Sequence, residues 1–397
     1  MKRRLIIAID RGIPFWEAAF SPLGEVRPFE GRKLPSSYIR DADALIVRTA
    51  TRVDAGTLEG SAVRFVGSAT IGMDHLDEQY LNSRGIAFSN AAGCNANAVS
   101  EYFVAALLVL AQDRKFNLQQ KSIGIIGAGR VGSRVAAKAQ ALGLSVSLCD
   151  PPLRESTQDP AYLSLAEVLD QDILSLHVPL TKGGKYPTQH MIDETIFDRL
   201  QPHQLVINAA RGSVIDGNSL KAALQRGAIS GAVLDVWENE PRIDTTLLDL
   251  VDIGTSHIAG YSLNGKIRAT EMILEALCRH FGCENPWDSA QVYPRSSTIR
   301  PAPESTGQDA LHSVVLQAYN IQQDDANLRA LRSLAPDPLG RSFDRLRDEY
   351  PLRAEFRHFI VGLLPKQSYL EATLGALGFQ VEEFPARAVS VPDGARA

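Results

Sequence analysis

Short apolar runs alternate with stretches of helical spacing along the first ninety residues. RLIIAID, ALIVRTA, VRFVGSAT and GIAFSNA read as strands; PFWEAAFSPLG, PSSYIRDAD and MDHLDEQYLNSRG between them carry helical spacing closed by a Gly or turn residue. Such alternation predicts a parallel, doubly wound sheet. From Asn95 the stretch NANAVSEYFVAALLVLAQDRKF reads as one long helix, and a second alternating series follows: SIGIIGAG, SVSLCD, DILSLHVPL, QLVINAARG, GAVLDVW and VDIGTSHIAG. These runs are nearly all apolar, as strands covered on both faces must be. After Tyr261, GKIRATEMILEALCRHFG reads as another long helix.

If that helix returns to the first series, the second series is an insertion. The pattern then predicts residues 1–95 with 259–288 as one domain and 96–258 as another. From Asn285 the composition shifts to Pro, Ser and Thr (NPWDSAQVYPRSSTIRPAPESTGQ), which reads as a linker. Beyond it the spacing predicts one helix (DALHSVVLQAYNIQQDDANLRALRSL), a strand (FRHFIVGLL), a helix (YLEATLGALG) and a strand (FQVEEF), a small α+β domain within 289–397. The expected fold class is α/β: two doubly wound, Rossmann-like parallel-sheet domains and a C-terminal α+β domain.

Composition narrows this picture little. A chain of 397 residues suggests two or three domains, and a net charge of −5 gives no reason to expect nucleic acid as the partner. The start, MKRRLIIAIDRG, reaches Asp10 and Arg11 too soon for a signal peptide. The longest apolar run, Tyr102 to Ala111, is about half a bilayer span and reads as a buried helix, so no membrane partner is expected. Cys94, Cys149, Cys278 and Cys283 form no CxxC and no Cys/His metal pattern. A reduced, cytoplasmic chain without structural metal is expected.

Chemistry enters with Gly127-x-Gly129-x-x-Gly132. The triplet follows a predicted strand and opens a predicted helix whose Val131, Val135, Ala139 and Leu142 share one face, and a second strand ends in Asp150 about twenty residues on. Gly127 makes the turn, Gly129 admits a pyrophosphate to the backbone, and Gly132 lets the helix approach the sheet. The helix start, with Arg130 and Val131, offers N–H groups to phosphates. Asp150 would accept from the ribose hydroxyls and repel a 2′-phosphate, which favours NAD.

Three ionisable residues fall at predicted carboxyl ends of strands, where open α/β sheets bind ligands. Arg211 follows QLVINAA, Glu240 follows GAVLDVW, and His257 ends VDIGTS. Oxidising a secondary alcohol beside a carboxylate calls for a planar cation to clamp the carboxylate and a base near neutral pH. Arg211 and His257 supply those types. Glu240 could orient the imidazole, although Glu238 competes for that role, and each of the three also has an ordinary structural reading.

GIIGAGRVGSR, VINAARGSVID, LDVWENEP and SHIAGYS resemble the successive motifs of the D-isomer-specific 2-hydroxyacid dehydrogenases. The resemblance implies that Arg211, Glu240 and His257 are the catalytic set. It also implies that Asp235 lies near the nicotinamide carboxamide and His177, Val178 and Pro179 near the cofactor; Ala209 and Gly260 complete the expected NAD contacts. ALIVRTATRV, FVGSATIGMDHLD, AAGCNANAVSEY, CDPP, DIGTSHIAGYSLNGKIRAT and the tail LQAYNIQQDDANLR to FDRLRDEYPLRAEF resemble one branch of that family. That branch oxidises a phosphorylated four-carbon 2-hydroxy acid at C2 with NAD, on the route to pyridoxal 5′-phosphate. By position it implies substrate contacts at Thr49, Thr70 and Tyr261, a substrate-binding role for the first domain, and a homodimer through the C-terminal domain. Arg48 and Arg52, which flank Thr49, are the candidates for the substrate phosphate. The longer SLAPDPLGRSFDRL and the residues after Arg387 depart from the branch. A dehydrogenase of the 3-phosphoglycerate or hydroxypyruvate type, and a non-catalytic NAD-responsive protein, are the competing readings.

Overall fold

The computed structural model describes residues 4–383. Among these, one compact unit takes residues 4–97 and 262–294, and a second takes 98–261 and 295–383. The residues after Arg387 lie outside the described part. No helix in the described part is long and apolar enough to cross a membrane.

The first unit is built on five parallel strands: β1 (Leu5–Asp10), β2 (Gly24–Phe29), β3 (Ala44–Val47), β4 (Phe65–Ser68) and β5 (Ala87–Asn90), in the order β2-β1-β3-β4-β5. Helix Leu263–Phe281 packs Ile273, Leu274 and Leu277 with Ile7, Ile9, Ile46 and Phe65. Leu45, Val47 and Val66 cluster instead with Ile39, Leu58 and Leu81. Alternate residues of one strand thus enter two cores, which is why β3 and β4 read as unbroken apolar runs. The strand β2 is absent from the sequence reading. It carries Glu25, Arg27 and Pro28 and lies at the sheet edge, where a missing N–H and charged side chains cost little.

The second unit holds six parallel strands: β6 (Ser122–Ile126), β7 (Ser145–Cys149), β8 (Ile173–Leu176), β9 (Leu205–Asn208), β10 (Gly231–Leu234) and β11 (Ile253–Gly254). Their order is β11-β10-β9-β8-β6-β7, so chain direction across the sheet reverses at β6. That reversal opens a crevice at the strands' carboxyl ends.

Residues 295–383 complete the same unit. A parallel sheet of β12 (Ser297–Ile299), β13 (Phe359–Leu363) and β14 (Gln380–Glu383) is accompanied by helices that share a core with the six-stranded sheet. Two expectations fail here. The Pro/Ser/Thr stretch contains β12 and is not wholly linker. The single helix expected over 309–334 is two, Gly307–Ala318 and Ile321–Arg329, because Tyr319 is extended and the Asn320 side chain caps the second at Gln323 N. Helix Pro336–Asp348 was also unforeseen; its prolines sit at the first turn, where the missing N–H does no harm.

Helix Ala96–Arg114 explains itself in this setting. Every residue from Tyr102 to Ala111 is buried, packed in one cluster with Ile123, Ile125, Ile173 and Leu205 of the sheet and with Val314, Val315, Phe356 and Leu374 of the C-terminal segment. A helix apolar all round needs cover all round. Its polar end is pinned by a buried ion pair: Arg353 donates to Glu101 at 2.6 Å and to the Ala98 carbonyl at 2.7 Å, and Phe356 N donates to Glu101 at 2.8 Å.

Close by, the Tyr319 and Tyr350 hydroxyls both donate to Asp324, at 2.9 and 3.0 Å. Burial outweighs those bonds and pushes the Asp324 carboxyl up to about 6. A carboxyl raised on folding contributes stability below its unfolded pKa and loses it as pH rises through the folded value. Asp324→Asn should therefore stabilise the chain at pH 8, by up to about 3 kcal/mol, with the gain shrinking by roughly 1–2 kcal/mol at pH 5. Denaturant unfolding at the two pH values measures this, and an equal effect at both would refute it.

Candidate active site

The strand order places the chemistry-bearing termini side by side. Along the carboxyl rim of the second sheet lie, in spatial order, His257 after β11, Glu240 after β10, Arg211 after β9, His177 after β8, Gly127 after β6 and Asp150 after β7. The residues singled out in the second series therefore share one edge with the glycine turn.

At the turn, Gly127 has φ +91°. A Cβ on Gly132 would stand 1.9 Å from the Gly127 carbonyl oxygen, so only glycine lets helix Gly132–Ala141 start there. Above Gly129 nothing lies within 4 Å of a Cβ position, which leaves room for a pyrophosphate against the backbone. The turn fits a dinucleotide. Asp150 has a structural task as well: its carboxylate accepts from Ala128 N at 2.9 Å and Leu153 N at 3.0 Å, tying the turn to the next helix. Each oxygen retains a second acceptor position for a ribose hydroxyl.

His177 accepts or donates at Nε2 with Ser175 at 2.9 Å, while its Nδ1 is buried without a partner among the described residues. Burial drives this imidazole down to about 3, so it is neutral at working pH. Val178 and Ala209 are half-buried and Pro179 is exposed.

Glu240 and His257 meet. Glu240 accepts from His257 Nδ1 at 2.7 Å and from Trp237 N at 2.8 Å. Burial favours the neutral acid, but the imidazole, the Trp237 N–H and Arg347 together hold the Glu240 carboxyl below its usual range. Glu238 is engaged elsewhere, with His190 at 2.6 Å and Gly217 N at 3.0 Å. His257 has φ +59°, an uncommon conformation for a side chain with a Cβ. Asp235 secures it: the His257 N–H donates to the Asp235 carbonyl at 2.7 Å, and the buried Asp235 carboxylate accepts from Thr255 Oγ1, Ile258 N and Ala259 N at 2.6, 2.8 and 3.0 Å.

Arg211 lies on the neighbouring strand end. Asn208 braces its loop through Arg211 O and Ala210 N, each at 3.0 Å, and Arg211 Nη1 donates to the Ala210 carbonyl. A Cβ on Gly212 would fall 2.0 Å from the Trp237 carbonyl oxygen, so the β9 and β10 loops touch backbone to backbone. Half-buried Gly260 and Tyr261 follow His257, with Tyr261 N bonded to the Ile258 carbonyl.

Within the first unit, Thr70 Oγ1 bonds Ser68 Oγ at 2.7 Å, and Thr49 is exposed at the end of β3. Each of the phosphate candidates there has one carboxylate partner. Arg48 gives Nε and Nη2 to the fully buried Asp10, at 3.1 and 3.3 Å, and Arg52 pairs with Asp54 at 2.7 Å. Sequence reading missed Trp237, Thr255 and Tyr102, whose hydroxyl bonds Thr255 Oγ1 at 2.9 Å. It also missed Arg347, far from the motifs along the chain. Only proximity in the fold reveals them.

Comparison with known proteins agrees with this geometry. Residues 107–259 match the profile of the D-isomer specific 2-hydroxyacid dehydrogenase NAD binding domain, and residues 294–378 match a domain of unknown function. The structure of D-lactate dehydrogenase from Aquifex aeolicus, complexed with NAD and lactic acid, aligns with a TM-score of 0.59 at 26% identity, covering 70% of this chain and 96% of that one. The erythronate-4-phosphate dehydrogenase of Hahella chejuensis is 43% identical over 94% of this chain and 99% of its own; that of Marinobacter nauticus is 42% identical over 95% and 100%. A dinucleotide turn, a carboxylate-backed imidazole and identity sustained across the C-terminal segment lead to one conclusion: the chain belongs to the erythronate-4-phosphate dehydrogenases, NAD-dependent enzymes of the D-isomer specific 2-hydroxyacid dehydrogenase family.

Proposed function

We propose that this chain oxidises 4-phospho-D-erythronate at C2 to 2-oxo-3-hydroxy-4-phosphobutanoate, a step toward pyridoxal 5′-phosphate. The reading is carried by the 2.7 Å contact between His257 and Glu240 on the rim that also bears Arg211 and the glycine turn. Bound NAD supplies the acceptor for the hydride that leaves C2. His257 takes the hydroxyl proton at Nε2, because Nδ1 keeps its proton in the bond to Glu240. Glu240 fixes the ring and favours the imidazolium that forms. Arg211 clamps the substrate carboxylate with its planar fork and stabilises charge on the C2 oxygen.

Protein with NAD⁺ and 4-phosphoerythronate should generate NADH absorbance; no turnover on this or any other phosphorylated 2-hydroxy acid would end the reading. His257→Asn should lower kcat by roughly 10²–10⁴ with the fold intact by circular dichroism. An unaltered kcat would return His257 to a structural role.

Glu240→Gln keeps the shape but removes the charge that faces His257, so kcat should fall roughly ten- to a hundredfold with the fold intact. An unaltered kcat would count against the pairing.

We also infer a cytoplasmic homodimer formed through residues 289–397. The cysteines, all free thiols, suit a reducing compartment. Leu334, Leu352 and Tyr369 are the exposed large apolar side chains of the described residues, and all three lie in this segment. Light scattering should give twice the chain mass, and the double variant Leu334→Asp, Tyr369→Asp should shift it toward the monomer. An unshifted mass would remove this segment from the interface.

A further inference from the structure

The segment that matches a domain of unknown function reaches the catalytic rim at one side chain. Helix Pro336–Asp348 buries Leu339 and Phe343 in the cluster that holds Trp237, Ile243 and Leu248. A Cβ on Gly340 would come within 3.3 Å of Arg242 and 3.5 Å of Pro241, so the helix rests on the turn that carries Glu240. Near its end, Arg347 sets its guanidinium against the Tyr261 side chain and within electrostatic range of Glu240. The Tyr261 ring is in turn braced edge-on by Tyr350, with centroids 5.9 Å apart.

Arg347 is placed, but not satisfied. Its Nε is buried and has no hydrogen-bond partner among the described residues, and its ion-pair contact with Asp344 is long, at 3.9 Å. The side chain is 26% exposed, so part of it is open to solvent. Burial opposes its charge, yet Tyr261 and Glu240 raise its pKa, and the guanidinium is a permanent cation. A permanent cation beside Tyr261 with no short carboxylate partner of its own is suited to an anion. Glu240 acts on Arg347 only at range, while its two oxygens receive Trp237 N and His257 Nδ1. Arg48 and Arg52, the candidates by sequence, already have carboxylate partners.

We propose that Arg347 is the specificity-determining cation for the phosphate end of the substrate. The C-terminal segment thereby selects phosphorylated over plain 2-hydroxy acids. This inference rests on the preceding reading, in which Arg211 takes the substrate carboxylate on the same rim. A substrate with an anion at each end then meets one arginine from the β9 loop and one from helix Pro336–Asp348.

The test compares wild type with Arg347→Met and Arg347→Lys on 4-phosphoerythronate and on erythronate, with inorganic phosphate as a separate probe. In Arg347→Met the ratio of kcat/KM for the phosphorylated over the plain acid should fall about ten- to a hundredfold, chiefly through KM. Lysine should restore part of it. Equal losses on both substrates, or an unaltered ratio, would overturn the proposal and leave Arg347 as a positioning residue for Glu240. Inorganic phosphate should raise the melting temperature of wild type and fail to do so in Arg347→Met. If wild type turns over neither acid, the functional reading fails, and the melting-temperature comparison still decides the residue: an equal rise in both proteins refutes an anion site at Arg347. If Arg347→Met does not fold, Arg347→Lys carries both comparisons.

Discussion

A carboxylate almost sealed from water organises the catalytic rim. Asp235 is 1% exposed, and burial pushes its carboxyl up, so an unmatched charge there would cost several kcal/mol. Thr255, Ile258 and Ala259 meet it with three donors, and they can do so only if the chain between them curls around the carboxylate. His257 lies inside that curl, in a left-handed conformation that its own N–H bond to the Asp235 carbonyl helps to hold. The strain, of order 1 kcal/mol, is small beside the cost of leaving the carboxylate bare. The imidazole's direction is thus set from below by an acid that need not touch the substrate.

The same economy reaches the rest of the second unit. Thr255 gives its hydroxyl proton to Asp235 and shares a hydrogen bond with Tyr102, on the long buried helix. That helix is apolar on every side because the C-terminal segment covers what the sheet does not, and Glu101 with Arg353 fixes the two together. Both ions are almost wholly enclosed, so removing either would strand the other. Residues 295–383 are therefore part of the enzyme's core. Removing them would uncover the helix that supports Thr255, and activity lost on truncation would report folding before it reported assembly.

Legibility followed the physics of burial. Strands covered on both faces announced themselves as apolar runs, and the glycine turn was readable because each glycine answers a steric demand: a positive φ at Gly127, a 1.9 Å collision at Gly132. Edge strand β2 was not, since an exposed edge accepts Glu25, Arg27 and Pro28 that a central strand would reject. The break at Tyr319 and Asn320 was hidden by helical spacing on both sides, and only the Asn320 cap and the buried Tyr319–Asp324 bond terminate the first helix. Arg48 has a partner that local pattern does not show: the buried Asp10 at the end of β1 accepts from its Nε and Nη2.

Glu238 and Glu240 are the sharpest case, because sequence alone left them as rivals two residues apart. The backbone separates them. Asn239 between them takes φ +61°, which turns the chain so that the two side chains leave the loop in different directions. Glu238 points to the start of helix Gly217–Gln225, where the Gly217 N–H and His190 hold it. Glu240 points back along the loop to Trp237 N and across to His257. Gly212 supplies the remaining constraint, since a larger residue would lift the Trp237 carbonyl and move the N–H that aligns Glu240. Pairing an imidazole with the right carboxylate is here a matter of one left-handed residue and one missing Cβ, neither of which charge patterning can reveal.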